Sequence, residues 1–138
     1  MDAINLLIRH DIKPSLQRLA VMDYMLTHAT HPTVDEIYHA LAPSIPTLSK
    51  TTVYNTLKLF EDQGVITYLG IDSKNARFDG NMKPHGHFRC KECGSIYDVW
   101  SEQPAVEKLE GLEDVTVTEV HTYYKGYCKS CHAKIVTN

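Results

Sequence analysis

Apolar residues recur at helical intervals through the first part of the chain and alternate at strand intervals through the later part. Over residues 2–10, Ile4, Leu7 and Ile8 fall on one side and Asp2, Asn5 and Arg9 on the other, which predicts an amphipathic helix. Pro14-Ser15 breaks the chain and offers an N-cap. Leu16, Leu19, Ala20, Met22, Tyr24 and Met25 then predict a second helix ending around His28. Thr33-Val34-Asp35-Glu36 has the spacing of a capping box, with Thr33 as N-cap and Glu36 reaching back, and it opens a short third helix through Ile37, Tyr38 and Leu41. Pro43 and Pro46 punctuate the link onward. Ser49 can cap a fourth helix from Lys50 to about Gln63, in which Val53, Leu57 and Phe60 form the buried stripe. Gly64 suits the residue just past its end. Residues 65–69 then read as a strand, Gly70 to Lys74 as a turn, and residues 76–78 as a returning strand.

Helices, a polar-faced helix and a hairpin, in that order, are the elements of a winged helix-turn-helix. Lys50, Thr51, Tyr54, Asn55 and Lys58 face away from the stripe, and such groups can reach base edges and phosphates in a major groove. The hairpin would be the wing, with Lys74 and Arg77 available to the DNA backbone. The same pattern also describes a helix with an ordinary solvated face.

In the later part, residues 95–100 read as a strand and Gln103 to Leu109 as a short helix. After Gly111, residues 115–120 alternate as a strand continuing through Tyr124, and residues 133–136 suggest a last short strand. This unit has too little helix to cover its sheet. Packing against a twin chain would cover it, and a two-fold dimer suits a palindromic operator.

The expected class is therefore α+β: a winged-helix DNA-binding domain over residues 1–80 and a small α/β dimerisation domain over residues 81–138 of the 138-residue chain. Each is small enough to need a metal, a disulfide or a partner. A net charge of −3 argues against a protein that coats nucleic acid indiscriminately, but not against a specific binder with one basic face. No apolar run is long enough for a membrane span, and the first residues lack the basic-then-apolar pattern of a signal peptide. A reducing cytoplasm is expected, where cysteines read as metal ligands rather than disulfides.

Two C-x2-C knuckles, Cys90/Cys93 and Cys128/Cys131, can together supply a tetrahedral four-thiolate zinc site that holds a fold and has no open position for catalysis. Redox dithiols, or a zinc ribbon touching nucleic acid, are the other readings of such pairs. A second donor set surrounds the first knuckle. His85 and His87 are two apart and would share a strand face, while Asp79 and Asp98 could add oxygen. A nitrogen and oxygen set suits iron, manganese or zinc. It could also serve a metallohydrolase, which would need an open cleft and a general base. A zinc protein binding other proteins through its winged helix would instead show an apolar face around Tyr54 and Lys58. His31 lies far from these residues in sequence, and spacing alone does not join it to them.

Several stretches together resemble the ferric uptake regulator family, and within it the peroxide-sensing members. They are His31-Pro32-Thr33 with Asp35-Glu36-Ile37-Tyr38, then residues 52–57, Arg77-Phe78-Asp79, His85-Gly86-His87 and both cysteine knuckles. The resemblance covers nearly the whole chain. It implies a homodimeric winged-helix repressor, not an enzyme, that binds inverted-repeat DNA when a regulatory Fe(II) or Mn(II) is present. It implies structural zinc on Cys90, Cys93, Cys128 and Cys131, and a regulatory metal on His31, Asp79, His85, His87 and Asp98, clamping the two halves at a DNA-competent angle. It adds Arg18 and Thr52 to the candidate DNA contacts. Both acidic ligands being aspartates resembles the peroxide sensors, in which a ligand histidine gains an oxygen; the matching positions are His31 and His85. An iron- or other metal-responsive repressor without peroxide sensing is the alternative. Two departures stand out. Leu16, not proline, precedes Gln17-Arg18. Gly86 and Val120 occupy places where some members carry ligands of a further metal site, and His121 is one position off.

Overall fold

The computed structural model describes residues 2–100 and 109–136. Its backbone divides into two compact units, Met1–Met82 and Lys83–Asn138.

The first unit opens with α1 (Ala3–Arg9), α2 (Leu16–Thr27), α3 (Val34–Leu41) and α4 (Lys50–Asp62). Each begins at a residue whose side chain accepts a hydrogen bond from a first-turn N–H: Asp2 from Asn5, Ser15 from Arg18, Thr33 from Glu36 and Ser49 from Thr52. These bonds satisfy donors that no intrahelical carbonyl can reach. Gly64 follows α4 at φ +76°, a conformation that favours glycine, and lets the chain turn into the hairpin. The hairpin pairs β1 (Thr67–Leu69) antiparallel with β2 (Arg77–Asp79), Tyr68 opposite Phe78. Leu7, Val21, Met22, Ile37, Val53, Leu57, Phe60 and Phe78 are buried together, so the helices and the hairpin share one core. Burying each such side chain contributes about 1.5–3 kcal/mol. The expected stripe of α4 is this core's floor, joined by the buried Thr56.

The segment before α3 runs along the free edge of β2. Thr33 bridges Arg77, the Phe78 N–H donates to the Pro32 carbonyl at 3.1 Å, and Arg77 Nη1 donates to the His31 carbonyl at 3.1 Å. Glu36, expected to reach back to its own cap, has a carboxylate oxygen 3.8 Å from Arg77 Nη1.

The second unit is a three-stranded sheet of order β4-β3-β5: β3 (Gly86–Cys90), β4 (Ile96–Val99) antiparallel to it, and β5 (Tyr123–Gly126) parallel to it. A helix, α5 (Lys129–Val136), follows. Three expectations change here. The helix expected from Gln103 lies outside the described residues apart from Leu109, its last residue. Residues 115–120 alternate as a strand should, yet they pair with nothing described, and Val115, Val117 and Val120 stay exposed; the ladder begins only at Tyr123. Residues 133–136 are helical, not a strand. A short apolar run carries no period of its own, and the winding that starts at the knuckle, with His132 N–H on the Cys128 carbonyl at 2.7 Å, runs on through it.

Strand alternation splits the sheet into two chemically distinct faces. Phe88, Tyr97 and Tyr124 are in register on one, and His87, Asp98 and Tyr123 are on the other or at its edge. Phe88 and Tyr97 stack at 5.0 Å.

The Asp72 carboxylate ties the hairpin turn together, accepting from the Lys74 N–H, the Asn75 N–H and Arg77 Nε. The Lys74 backbone N–H, and after it the Arg77 guanidinium and the Asn75 N–H, hold the Asp72 carboxyl below its ordinary value of 3.8. A depressed carboxylate stabilises the fold above its unfolded value and stops doing so as pH falls through the folded one. Asp72→Asn is expected to cost about 1 kcal/mol, or about 4–8 °C in Tm, at neutral pH. The difference from wild type should shrink as pH falls below about 4. Thermal unfolding of both proteins across that range checks this; a gap that persists or widens in acid contradicts it.

Candidate metal centres and DNA-facing helix

Cys90 ends β3, Cys93 lies in the turn to β4, Cys128 precedes α5 and Cys131 sits in its first turn. Their sulfurs all lie within 4.8 Å of one another, and Cys93 Sγ is 3.7 Å from Cys128 Sγ. That spacing fits the edge of a tetrahedron with metal–sulfur arms of about 2.3 Å, which is about 3.8 Å. It is far beyond a disulfide bond of about 2.05 Å, so a dithiol–disulfide couple would need the sulfurs to move. The turn between Cys90 and Ser95 is closed by Cys90 N–H on the Ser95 carbonyl at 2.9 Å and Gly94 N–H on the Cys90 carbonyl at 3.0 Å. Gly94 sits there at φ +78°. The N–H groups of Cys128 and Cys93 point at Cys90 Sγ and bring its thiol down to about 6. Cys131 moves the other way, to about 12, because sharing a hydrogen bond with Cys128 favours its thiol form. Four sulfurs this close together form a cluster that a divalent cation, replacing thiol protons, would stabilise. This site fits structural zinc.

The second donor set falls in two parts, one in each unit. In the second unit, His85 Nε2 and His87 Nε2 lie 3.4 and 3.5 Å from the same atom, Asp98 Oδ1. Two donors about 2.1 Å from one ion are about 3.0–3.4 Å apart, so these atoms are spaced as co-ligands. His85 Nδ1 bonds to the Lys83 carbonyl. A carbonyl can only accept, so Nδ1 carries a proton, which in the neutral ring leaves Nε2, the nitrogen nearest Asp98, as the one able to bind a metal, the outer-shell arrangement that orients metal-bound histidines. Trp100 stacks on the His85 ring at 4.6 Å and 22°. Nothing in the sequence pattern marked Trp100.

In the first unit, His31 and Asp79 are both buried, and each offers a donor atom within 4.8 Å of the other's. The edge pairing of residues 31–33 with β2 brings them together. His31 holds φ +56°, a left-handed conformation that costs a residue with a side chain about 1–2 kcal/mol. Imidazole with carboxylate suits a borderline-to-hard divalent ion such as iron or manganese.

On α4, Lys50, Thr51, Tyr54 and Asn55 are exposed, while Thr52 and Lys58 are half-buried. Lys50 pairs with Asp35 at 3.3 Å and Lys58 with Glu61 at 3.0 Å, both near the surface. Thr52 Oγ1 is 2.9 Å from the Ser49 hydroxyl at the cap. Arg18 donates to the Lys13 carbonyl at 2.8 Å and lines a groove with Lys13, Gln17, Thr52 and Asn55. The groove adds Lys13 and Gln17, which the sequence pattern left aside, to the polar surface of α4. Lys74 is exposed in the hairpin turn. Arg77, expected to face DNA, is turned inward to Asp72 and His31 instead. His121, one position off the further metal site of some family members, lies outside the named strands with Nε2 3.1 Å from Glu119 Oε2.

The model of the ferric uptake regulator family matches residues 9–123 of this chain. The peroxide-responsive repressor PerR of Staphylococcus aureus (strain Mu50 / ATCC 700699) is 36% identical over 137 residues, covering 96% of this chain and 91% of the relative. Among solved structures, PerR from Streptococcus pyogenes aligns at 29% identity and a TM-score of 0.54, covering 95% of this chain and 94% of that one. The Helicobacter pylori ferric uptake regulator has a TM-score of 0.71 at 21% identity, covering 91% and 86%, a likeness of fold.

Cys93→Ser should lose zinc and the folded second unit together. Zinc content and thermal unfolding check it, and a variant with wild-type zinc and Tm would contradict the four-thiolate site. The chain's single tryptophan, stacked on His85, gives an independent readout. Titrating Mn(II), an open-shell quencher, into zinc-replete protein should quench Trp100 emission, and His87→Ala should shift that curve to higher metal. Emission that ignores Mn(II) would mean that no ion binds beside His85.

Proposed function

The chain belongs to the ferric uptake regulator family, and we propose that within it the protein is a homodimeric repressor that holds inverted-repeat operator DNA in its metal-loaded state and releases it when peroxide oxidises a ligand histidine. Members of this family are metal-responsive transcriptional regulators rather than enzymes. The observation that supports the finer reading is a partial donor set in each unit: His31 with Asp79 in the first, and His85 and His87 converging on Asp98 in the second. A single ion taking donors from both parts would favour the arrangement of the two units that presents DNA-binding surfaces correctly, and would shift the population toward it.

The chain's residues divide the work. Cys90, Cys93, Cys128 and Cys131 hold the second unit around zinc. Lys83, through its carbonyl, keeps the His85 Nε2 lone pair available. Asp79 and Asp98 supply oxygen, and having aspartate at both places resembles peroxide-sensing members. Bound Fe(II) would activate peroxide, the two-electron oxidant, so that one of its oxygens could go to a ligand imidazole and the other leave as water. An oxygen added to the ring of His31 or His85 then weakens that residue as a donor, and the two parts no longer share an ion. Lys50, Thr51, Thr52, Tyr54, Asn55 and Lys58 on α4 are the proposed groove contacts, with Arg18 and Lys74 on flanking phosphates. The aromatic face on which Tyr97 and Tyr124 are exposed beside the half-buried Phe88 is the proposed place for the twin chain. No helix of the described residues is long and apolar enough to cross a membrane; the proposed compartment is the cytoplasm, beside the DNA.

Fluorescence anisotropy of the Fe(II)-loaded, zinc-replete protein on inverted-repeat DNA, before and after near-stoichiometric peroxide, tests this. Loss of binding is expected in the iron form only, with one added oxygen on the tryptic peptide bearing His31 or His85 and none in the Mn(II) form. Binding that needs metal but ignores peroxide, with unmodified peptides, would instead mark an iron- or other divalent-metal-responsive repressor.

A further inference from the structure

A cation on a wing reads from sequence as a phosphate contact, but the Arg77 side chain is 19% exposed and committed elsewhere. Its Nε donates to Asp72 Oδ2 at 3.1 Å, and its Nη1 donates to the His31 carbonyl at 3.1 Å with Glu36 Oε1 at 3.8 Å. These partners come from three places: the hairpin turn, the loop before α3, and the first turn of α3. Asp72 is itself fixed, accepting from the Lys74 N–H at 2.9 Å. A guanidinium is a rigid planar fork, so its Nε and Nη1 can serve two acceptors in set directions at once. A lysine ammonium is a point charge on a flexible stem and cannot reproduce that geometry.

His31 is a residue that needs such a holder. At φ +56° it occupies a conformation that L-residues adopt only when their surroundings impose it. Its carbonyl belongs to the peptide plane joining it to Pro32, so fixing that oxygen fixes ψ of His31. The next plane is held in turn, because the Pro32 carbonyl accepts from the Phe78 N–H. With ψ of His31 fixed and residues 31–33 tied along β2, the imidazole lies near the end of β2, where Asp79 is.

The geometry points to Arg77 as a positioning residue for the regulatory metal: it holds His31 in ligand orientation and ties that loop to the hairpin turn at residues 72–75, and it does not contact DNA. This rests on the reading of His31 as a metal ligand. Its consequence is a mechanical link inside the first unit. A change at His31 is felt through one guanidinium by the turn that carries Lys74, so the state of the metal site and the shape of the wing are coupled without any change in the helical core.

The test is a double-mutant cycle on Mn(II) affinity in the full, zinc-replete chain, read from the electron paramagnetic resonance of free Mn(II). Arg77→Lys should weaken Mn(II) binding by about 10- to 100-fold, the usual effect of removing an outer-shell support. In a His31→Ala background the same change should matter by less than about twofold, because the residue it acts through is gone. Equal weakening in both backgrounds would overturn the inference, since Arg77 would then act through Asp79 or the general fold. So would wild-type affinity in Arg77→Lys. If His31→Ala alone left Mn(II) affinity unchanged, the shared-ion reading would fail and this inference with it; if His31→Ala weakened binding and Arg77→Lys did not, only this inference would fail. Should Arg77→Lys fold poorly, Asp72→Asn releases the guanidinium from its other side and should show the same loss of effect without His31. At saturating Mn(II), Arg77→Lys should bind DNA with an unchanged salt dependence. A slope lower by about one phosphate contact would place Arg77 on the DNA.

Discussion

The second unit depends on four sulfurs held together. Its described sheet has three strands, with the aromatic side chains of Phe88, Tyr97 and Tyr124 on one face. Cys90 ends β3, Cys93 closes the turn into β4, and Cys128 and Cys131 tie the start of α5 to both. A cation shared by these thiolates does the work that a larger core does elsewhere. It also sets the chemistry three residues upstream. With the end of β3 anchored, His87 lies in register with Asp98, and His85 just before the strand reaches the same carboxylate. The four-sulfur cluster thereby anchors the end of the strand that carries His87.

The open site obeys a different constraint. Imidazole and carboxylate bind first-row divalent ions with modest selectivity, and a pair or a trio of such donors binds weakly by itself. If one ion takes donors from both units, as proposed, its affinity depends on how those units are arranged, and their arrangement in turn depends on the metal. The two dependences are one linkage free energy seen from either side. It follows that losing one donor can do more than lower occupancy, because the domain arrangement that the ion favoured is lost as well. Histidine suits this role. Its ring can be fixed by an outer hydrogen bond, as the Lys83 carbonyl fixes His85, and its donor strength is sensitive to an added oxygen. In the first unit the proposed support acts on the backbone: the Arg77 guanidinium holds the carbonyl of His31, whose φ is +56°.

Much of this was legible in the chain itself, for physical reasons that differ by region. The four helices of the first unit each start at a hydroxyl or carboxylate cap and show a helical stripe, so their residues name both their ends and their buried faces. The cysteine knuckles were equally clear, because thiolate spacing is set by the ion rather than by the surrounding fold. His85 and His87 could be paired because a strand places alternate residues on one face. Other features had no local signal. His31 reaches Asp79 only because residues 31–33 run along the edge of β2, a contact between distant segments, and it was the family resemblance rather than spacing that pointed to it. Residues 115–120 carry the alternation of a strand but pair with nothing described, since alternation states which side would be buried and not whether a partner exists. Residues 133–136 were too short to reveal their period, and the knuckle imposed a helix on them. Arg77 illustrates the limit most plainly. A cation on a hairpin is read as a surface charge, and only the positions of Asp72 and the His31 carbonyl show that it faces inward.

The central claim is that one ion draws donors from both units. Electron spin echo spectroscopy of the Mn(II)-loaded, zinc-replete protein, with its histidines labelled with 15N, measures this directly by counting the imidazole nitrogens bound to the metal. Three are expected, from His31, His85 and His87, falling to two when His31 is replaced by alanine. Two in the wild-type protein, unchanged by that substitution, would show that the ion belongs to the second unit alone and would contradict the claim.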